Sequence, residues 1–328
     1  MVDASRLRLR AAEIAEEVLF PAALAVDAAD RVPASHLDLL AAEGLYGAAV
    51  PEDGDGRDFP LLASLVESLA SGCLTTAFVW LQHHGPVSAA AYSEQPGIRD
   101  AWLGALSTGE RRAGIALAGL RSRTAPMRVR AVGGGFLLDG EAPWVTGWDM
   151  IDVLYTAARD EHDDVHFLLV DAIAGPTLGV TPLELVAVQA SRTVNVRFES
   201  HFVPADRLAD VRPYAAWSSS DASGSALNGF LALGTAARCC RLIGPSPLDA
   251  ELAATRASLL AADPAATPAA RAAASDLALR ATATLAVRTG ARAVLRGEHA
   301  QRLLREAAFL LVFGNRPAIR DELLARLR

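Results

Sequence analysis

The hydrophobic periodicity of this chain changes twice, and few architectures accommodate both changes. Up to about residue 112, apolar residues recur at helical spacing. From 113 to about 212 they fall in short alternating runs, and from about 222 to 328 the helical spacing returns. A helical period buries a stripe of a helix, whereas alternation buries one face of a sheet. The expected fold is therefore α+β. It has an N-terminal helical domain over 1–112, a middle antiparallel β-barrel or sandwich domain over 113–215, and a C-terminal helical bundle over 222–328.

Local signals place the elements. Arg6 to Val26 reads as a helix. Ser35 with Asp38 three residues on reads as a capping box, and Gly44 as a helix stop. Pro51 to Gly56 is a loop by composition. Helices are expected over Leu61–Cys73, Thr75–Tyr92 and Ile98–Ser107. Gly133-Gly134-Gly135 between two strand-like runs predicts a hairpin. Further strands are expected over 151–157, 166–171 and 193–199, the last with Val194, Val196 and Phe198 on one face. The serine-rich stretch Trp217–Ser225 reads as a flexible linker. Helices follow over Asn228–Ile243, Asp249–Ala262, from Thr267-Pro268 onward, and over His299–Val312.

Composition excludes several kinds of chemistry. The 328 residues contain no lysine, so all positive charge is arginine. That removes Schiff-base catalysis, a P-loop lysine and a pyridoxal-phosphate anchor. A net charge of -7 without a basic stripe argues against nucleic acid. No apolar run is long enough to cross a bilayer, and no signal peptide opens the chain. Three cysteines without CxxC spacing predict a reducing, cytoplasmic setting with neither disulfide nor zinc site. Cys239 and Cys240 read as core packing. His83 and His84 diverge on a helix and are no metal pair. His162 and His166 belong to a charged loop, while His201 and His299 read as exposed.

One segment points to a ligand. In Ala142-Pro143-Trp144-Val145-Thr146-Gly147, an aromatic ring and a hydroxyl lie two residues apart. On an extended strand they share a side, offering a flat apolar face and a hydrogen-bond donor to the same place. A planar, polar-edged cofactor such as a flavin requires that pairing.

Five segments in register resemble the acyl-CoA dehydrogenase family along almost the full chain. Val18–Asp27 with Leu39–Pro51 resembles the family's helical opening, and His84–Glu110 the helix pair leading into the middle domain. Gly140–Thr146 resembles its Gly-x-Lys-x-Trp-Ile-Thr segment, and Val196–Leu208 its closing β segment. Gln301–Ala307 resembles its Glu-Arg-x-x-Arg-Asp-Ala helix. The resemblance implies FAD as cofactor and an acyl thioester, on coenzyme A or a carrier protein, as substrate. A carboxylate would remove the α-proton while FAD accepts the β-hydride. It also implies that Trp144 packs on the isoalloxazine, Thr146 bonds its edge and Ser122 contributes to flavin and substrate binding. A homodimer or dimer of dimers is implied too.

The departures are specific. Where the family has Thr-Glu-Pro-x-x-Gly-Ser-Asp, this chain has Ala116 to Arg123, keeping only Ser122 and adding Arg121 and Arg123. These arginines read as solvated or as meeting a phosphate. Phe313 occupies the position of the usual catalytic Glu, and no Glu lies between Asp221 and Pro247, where some members carry theirs. Glu306 falls where the family makes structural ion pairs. The segment that reaches a neighbouring subunit's FAD is shortened to Pro245-Ser246-Pro247, and the adenosine-contacting segment survives only as Arg288–Arg292. The catalytic base is therefore unassigned. Three readings follow: a flavin-dependent dehydrogenase of the CH–CH group of an acyl thioester, a non-catalytic partner subunit paired with a Glu-bearing homologue, and a flavin-dependent oxygenase on the same fold.

Overall fold

The computed structural model describes residues 4–50, 58–122, 126–221 and 225–328. The loop expected at Pro51–Gly56 lies outside the described residues. The first helical run is α1 (Ala4–Ile14), a π-helical turn (Ala15–Leu19) and α2 (Phe20–Asp27). Pro21 has no amide to donate into the preceding turn, which accounts for the widened segment before it. The next helix, α3 (Ala34–Ala42), starts two residues earlier than the capping box predicts. Pro33 is its N-cap, no side chain caps it, and Asp38 instead pairs with Arg112 at 2.6 Å. Gly44 ends the helix at φ +76°, as expected.

Asp58 caps α4 (Phe59–Gly72) by accepting from the Leu61 amide at 2.8 Å. The single helix expected over Thr75–Tyr92 is two, α5 (Leu74–Gln82) and α6 (His84–Tyr92). Pro86 cannot donate to the Gln82 carbonyl, and its ring crowds that carbonyl, so the run breaks at His83. The N-terminal helices close with α7 (Ile98–Thr108).

The strands are β1 (Ala113–Ala116), β2 (Arg128–Val132), β3 (Gly135–Val145), β4 (Val153–Arg159), β5 (Asp164–Asp171), β6 (Leu178–Pro182), β7 (Val194–Pro204) and β8 (Leu208–Pro213). They form one sheet in the order β6-β7-β3-β2-β4-β5-β8, with β1 beside β4. Pairing is mostly antiparallel, but β1 and β2 each run parallel to β4. The hairpin turns at Gly134, φ +82°. Val194, Val196 and Phe198 are all buried on one face of β7, as their spacing predicts.

The first part of the expected flexible linker is instead helical: α8 spans Tyr214–Ser220, and Trp217 is buried beneath the Arg121 guanidinium at 4.9 Å, while residues 222–224 lie outside the described residues. That indole needs a core, and its burial orders the serines around it. Helices α9 (Asn228–Ile243), α10 (Pro247–Ala261), α11 (Thr267–Thr289), α12 (His299–Val312) and α13 (Pro317–Arg326) complete the chain. At the start of α10 the Asp249 carboxylate accepts from the Ser246 amide at 2.8 Å. One apolar core joins both sets of helices to the sheet, taking in Leu7, Trp80, Tyr155, Phe230, Leu277 and Leu303. A second core fills the β layer around Met127, Leu138, Trp148 and Phe198.

Candidate functional site

The end of β3 departs from regular pairing where the site begins. Ala142 faces Val196 and Val145 faces Val194, so three steps on β3 oppose two on β7. The irregularity puts Trp144 at φ +60°. Asp149, Val188 and Arg192 in the adjoining corner also have positive φ, at 64°, 52° and 50°. Such conformations cost on the order of 1–3 kcal/mol each and persist only where surroundings impose them. Here the constraint comes from Gly147 N donating to Ser191 O at 2.9 Å, Trp148 N to Arg192 O at 3.2 Å, and Arg192 Nε to Asp149 Oδ2 at 3.0 Å. The Trp144 amide donates to Asn195 Oδ1 at 3.3 Å.

The consequence is an indole turned outward. Trp144 is 62% exposed, whereas Thr146 is only 4% exposed. Simple alternation predicts that both share one side; the irregularity shifts the phase, so that expectation does not hold. The Thr146 hydroxyl lies 3.3 Å from Thr193 Oγ1, which is 2.7 Å from Ser191 Oγ. A chain of three hydroxyls can reorient its hydrogens, because each both donates and accepts. Ser122 follows a 3-10 turn (Ala118–Arg121) and is half-buried, its amide donating to Gly119 O at 3.2 Å. Arg123 lies outside the described residues.

Arg121 is neither solvated nor free for a phosphate. It makes a two-pronged ion pair with Asp221, with Nε 2.7 Å from Oδ2. Arg316 reaches the same carboxylate, Nε to Oδ2 2.6 Å. Burial works to raise the Asp221 carboxyl, but the bond to Arg121 and the charges of Arg121 and Arg316 outweigh it and hold it below the usual carboxylate range. A carboxylate so held is a weak proton acceptor.

Phe313 caps α12 inside an aromatic trio. Its ring centroid is 4.7 Å from Phe78 and 5.3 Å from Phe309. Its carbonyl accepts from Arg271 Nη2 at 3.1 Å. Helix α5 forms a wall common to this trio and the Trp144 corner. Phe78 meets Phe313, while a Cβ on Gly147 would lie 3.7 Å from Val79 Cγ1.

The remaining candidates are structural. Glu306 is buried and bonded to Arg302 at 2.6 Å, and burial pushes its carboxyl up. His83 lies 2.9 Å from the Leu106 carbonyl through Nε2 and accepts from the Ala113 amide at 3.0 Å through Nδ1. This arrangement requires the Nε2–H tautomer. Burial lowers its pKa to about 4, and Arg112 adds to the shift. His84 packs edge-on to Trp80. His299, expected to be exposed, stacks on Phe20 at 4.3 Å. Burial and the neighbouring Arg302 also bring its pKa down to about 4. His201 is likewise not a free surface residue, since Thr177 Oγ1 lies 3.0 Å from its Nδ1. His166 lies 3.0 Å from Asp160 Oδ2. Cys73, Cys239 and Cys240 are buried thiols.

The Trp144 indole offers one open aromatic face, whereas the Thr146, Thr193 and Ser191 hydroxyls are buried and bonded to one another. Asn195, Asp221, Arg271 and Arg316 were not singled out as site residues by sequence reasoning. Only Arg271 carries a signal there, as a lone charge in the alanine-rich start of α11.

Residues 3–110 match the family model described as acyl-CoA dehydrogenase, N-terminal domain. Over 216 residues the chain is 27% identical to the mitochondrial short-chain specific acyl-CoA dehydrogenase of Bos taurus, covering 62% of this chain and 52% of that protein. The match thus spans about half the length of that relative. The fold matches butyryl-CoA dehydrogenase from Megasphaera elsdenii with a TM-score of 0.84 at 17% identity, covering 100% of this chain and 99% of the other. It also matches a glutaryl-CoA dehydrogenase from Mycobacterium smegmatis, solved in complex with FADH2, with a TM-score of 0.81 at 13% identity. That likeness covers 99% of this chain and 94% of the other.

Proposed function

We propose that the chain is a member of the acyl-CoA dehydrogenase family, whose N-terminal domain model its residues 3–110 match, and that it is an FAD-binding oxidoreductase-type protein that receives an acyl thioester. The outward-facing Trp144, held at positive φ in a strained corner, carries this reading. A solvent-exposed indole on an imposed backbone gains little for the free protein and much for one that must stack a planar ring. FAD, when bound, supplies the acceptor for the β-hydride of an acyl thioester. Trp144 would cover one face of the ring system, Thr146 would direct a hydroxyl to its edge through the Thr193–Ser191 chain, and Ser122 would approach from the 3-10 turn. The α5 wall would exclude water from the side opposite the sheet.

The base is the open element. Phe313 cannot take a proton, and Asp221 is committed to two guanidiniums. This favours, as a second reading, a subunit that binds flavin or thioester but relies on a Glu-bearing partner chain for α-proton removal. A homodimer or dimer of dimers remains the proposed assembly. Exposed Val287, Val294 and Leu295 near the end of α11 supply apolar surface for it. No helix among the described residues is long and apolar enough to cross a membrane; a cytoplasmic location is part of the proposal.

The test is the visible absorption spectrum of the purified protein with and without added FAD, followed by an acyl-CoA such as butyryl-CoA. Flavin bands that survive gel filtration, and that Trp144→Ala abolishes, support the site. Bleaching by the acyl-CoA supports the dehydrogenase. Retained flavin without bleaching, with turnover appearing only alongside a Glu-bearing homologue, supports the partner role. A protein that stays colourless rejects the flavin site and with it the dehydrogenase.

A further inference from the structure

Where α4, α9 and α10 meet the π-helical turn, the structure holds an open cleft of about 420 Å³. That volume falls in the range of roughly 300–1,000 Å³ usual for clefts that take small molecules. Glu16 of the π-helical turn, Ser68 of α4, Phe230 and Arg241 of α9, and Arg256 and Leu260 of α10 line it. Phe230 is only 1% exposed, whereas Leu260 is 40% exposed although wholly apolar. An aromatic ring and an aliphatic side chain thus face one space that no side chain of this chain fills.

The charges around the cleft do not balance. Glu16 accepts from Arg238 at 3.0 and 2.8 Å, and Arg241 approaches the same carboxylate at 3.2 Å. Glu67, also in the lining, accepts from Arg256 through Nε and Nη2, at 2.9 and 2.6 Å. Three guanidiniums therefore stand against two carboxylates. The exposed Arg8 adds positive charge beside them, donating to Ser64 of the same lining at 3.2 Å. A guanidinium has more N–H donors than one carboxylate takes up. Nη1 of Arg256, and Nε and Nη1 of Arg241, have no acceptor among the described residues. Both side chains are partly open to water, at 37% and 48% exposure, so their spare donors are accessible.

We propose that this cleft binds a small monocarboxylate with an apolar body, its carboxylate on Arg241 and Arg256 and its body against Phe230 and Leu260. The excess positive charge selects an anion, and the planar fork of a guanidinium matches a planar carboxylate. The apolar part of the lining favours an acid with hydrocarbon to bury over a wholly polar anion such as chloride. A neutral molecule of the same shape would leave the spare guanidinium donors unused. The cleft shares no residue with the Trp144 corner or the Phe313 trio, so this inference goes beyond the flavin reading and does not depend on it.

The experiment is isothermal titration calorimetry of the full chain with sodium phenylacetate, the ionic strength being held constant with sodium chloride and phenylacetamide serving as the uncharged comparison. Saturable binding of the acid at one site is expected, with the amide weaker by about tenfold or more. Arg241→Gln should raise Kd for the acid by about tenfold, the loss of one charged hydrogen bond. Leu260→Glu, which puts a like charge where the apolar body would lie, should abolish binding. Both residues are exposed and outside the core, and circular dichroism checks that each variant folds; should one fail, the other decides. Trp144→Ala should leave Kd unchanged. The absence of saturable binding, equal affinity for acid and amide, or an unaltered Kd in the folded cleft variants each overturn the proposal. Binding lost in Trp144→Ala but kept in the cleft variants would put the acid at the other site and overturn it too.

Discussion

His83 illustrates how a single side chain can bind two segments together at the cost of acid sensitivity. One ring nitrogen donates to the Leu106 carbonyl near the end of α7, and the other accepts from the Ala113 amide that opens β1. Only a neutral imidazole can do both. With a folded pKa of about 4 against an ordinary 6.5, the unfolded chain takes up a proton in that interval and the folded chain does not. The contribution is complete above about pH 6.5 and is lost as pH falls toward 4. At its largest it amounts to about 3 kcal/mol. His299 acts in the same direction. Urea midpoints at pH 7.5 and pH 5 should therefore fall less on acidification in His83→Gln than in wild type; parallel losses would refute the assignment. The Arg302–Glu306 pair gives a second prediction at this scale. Both side chains are buried, so Glu306→Ala should destabilise the protein by about 3–5 kcal/mol in denaturant titrations, while Arg302→Met with Glu306→Leu should recover most of that loss. Neither result could be anticipated from the sequence, where His83 reads only as no part of a metal pair and Glu306 as a generic ion-pair member. Charge and tautomer depend on what a side chain is buried against, and that is a tertiary fact.

At the scale of elements, periodicity located most helices, and backbone chemistry decided where it failed. The Asn228–Ile243 and His299–Val312 helices coincide with the apolar pattern. Pro86 split a helix that pattern alone would run together, and the buried indole of Trp217 turned the first part of an apparent linker into α8. Strands β1, β6 and β8 are short and weakly alternating, so nothing local announces them; their partners in the sheet define them. The Trp144 site was legible as residue types but not as geometry, because the β3 irregularity arises from pairing with β7. Glycines separate packing from propensity. In α9, a Cβ on Gly234 would meet the Glu67 carbonyl of α4 at 2.4 Å. Gly104 in α7 has nothing within 4 Å of such a Cβ. Gly234→Ala should therefore lower stability by about 1–3 kcal/mol despite the better helix propensity of alanine. Gly104→Ala should raise it by about 0.5–1 kcal/mol. Both are read from urea midpoints, and a stabilised Gly234→Ala would mean that α4 and α9 do not approach so closely.

Across the whole molecule, the apolar core disregards the division visible in the periodicity. Residues from α1, α4, β4, α9, α11 and α12 belong to one cluster, and Arg238 of α9 ties the two helical sets together by reaching Glu16 in the π-helical turn at 2.8 Å. A chain of this kind should unfold in one step. Tryptophan fluorescence and far-ultraviolet circular dichroism should give coincident urea transitions; a separate earlier transition for either signal would show that the two helical sets unfold independently. The order of helical, sheet and helical sections was legible because each period reports a kind of burial. The shared core was not, since periodicity says which face is buried and not what covers it.

Helix α5 touches the aromatic trio through Phe78 and the Trp144 corner through Val79. Consecutive residues on a helix point about 100° apart, so a single peptide step sets the angle between two surfaces that lie far apart in the sequence. Inserting one residue ahead of Phe78 would swing both surfaces together, whereas a change at Phe78 or Val79 would alter one and spare the other. A single helical step thus sets how the aromatic trio and the Trp144 corner are turned toward one another, so that the two respond separately to substitution and together to a shift of register.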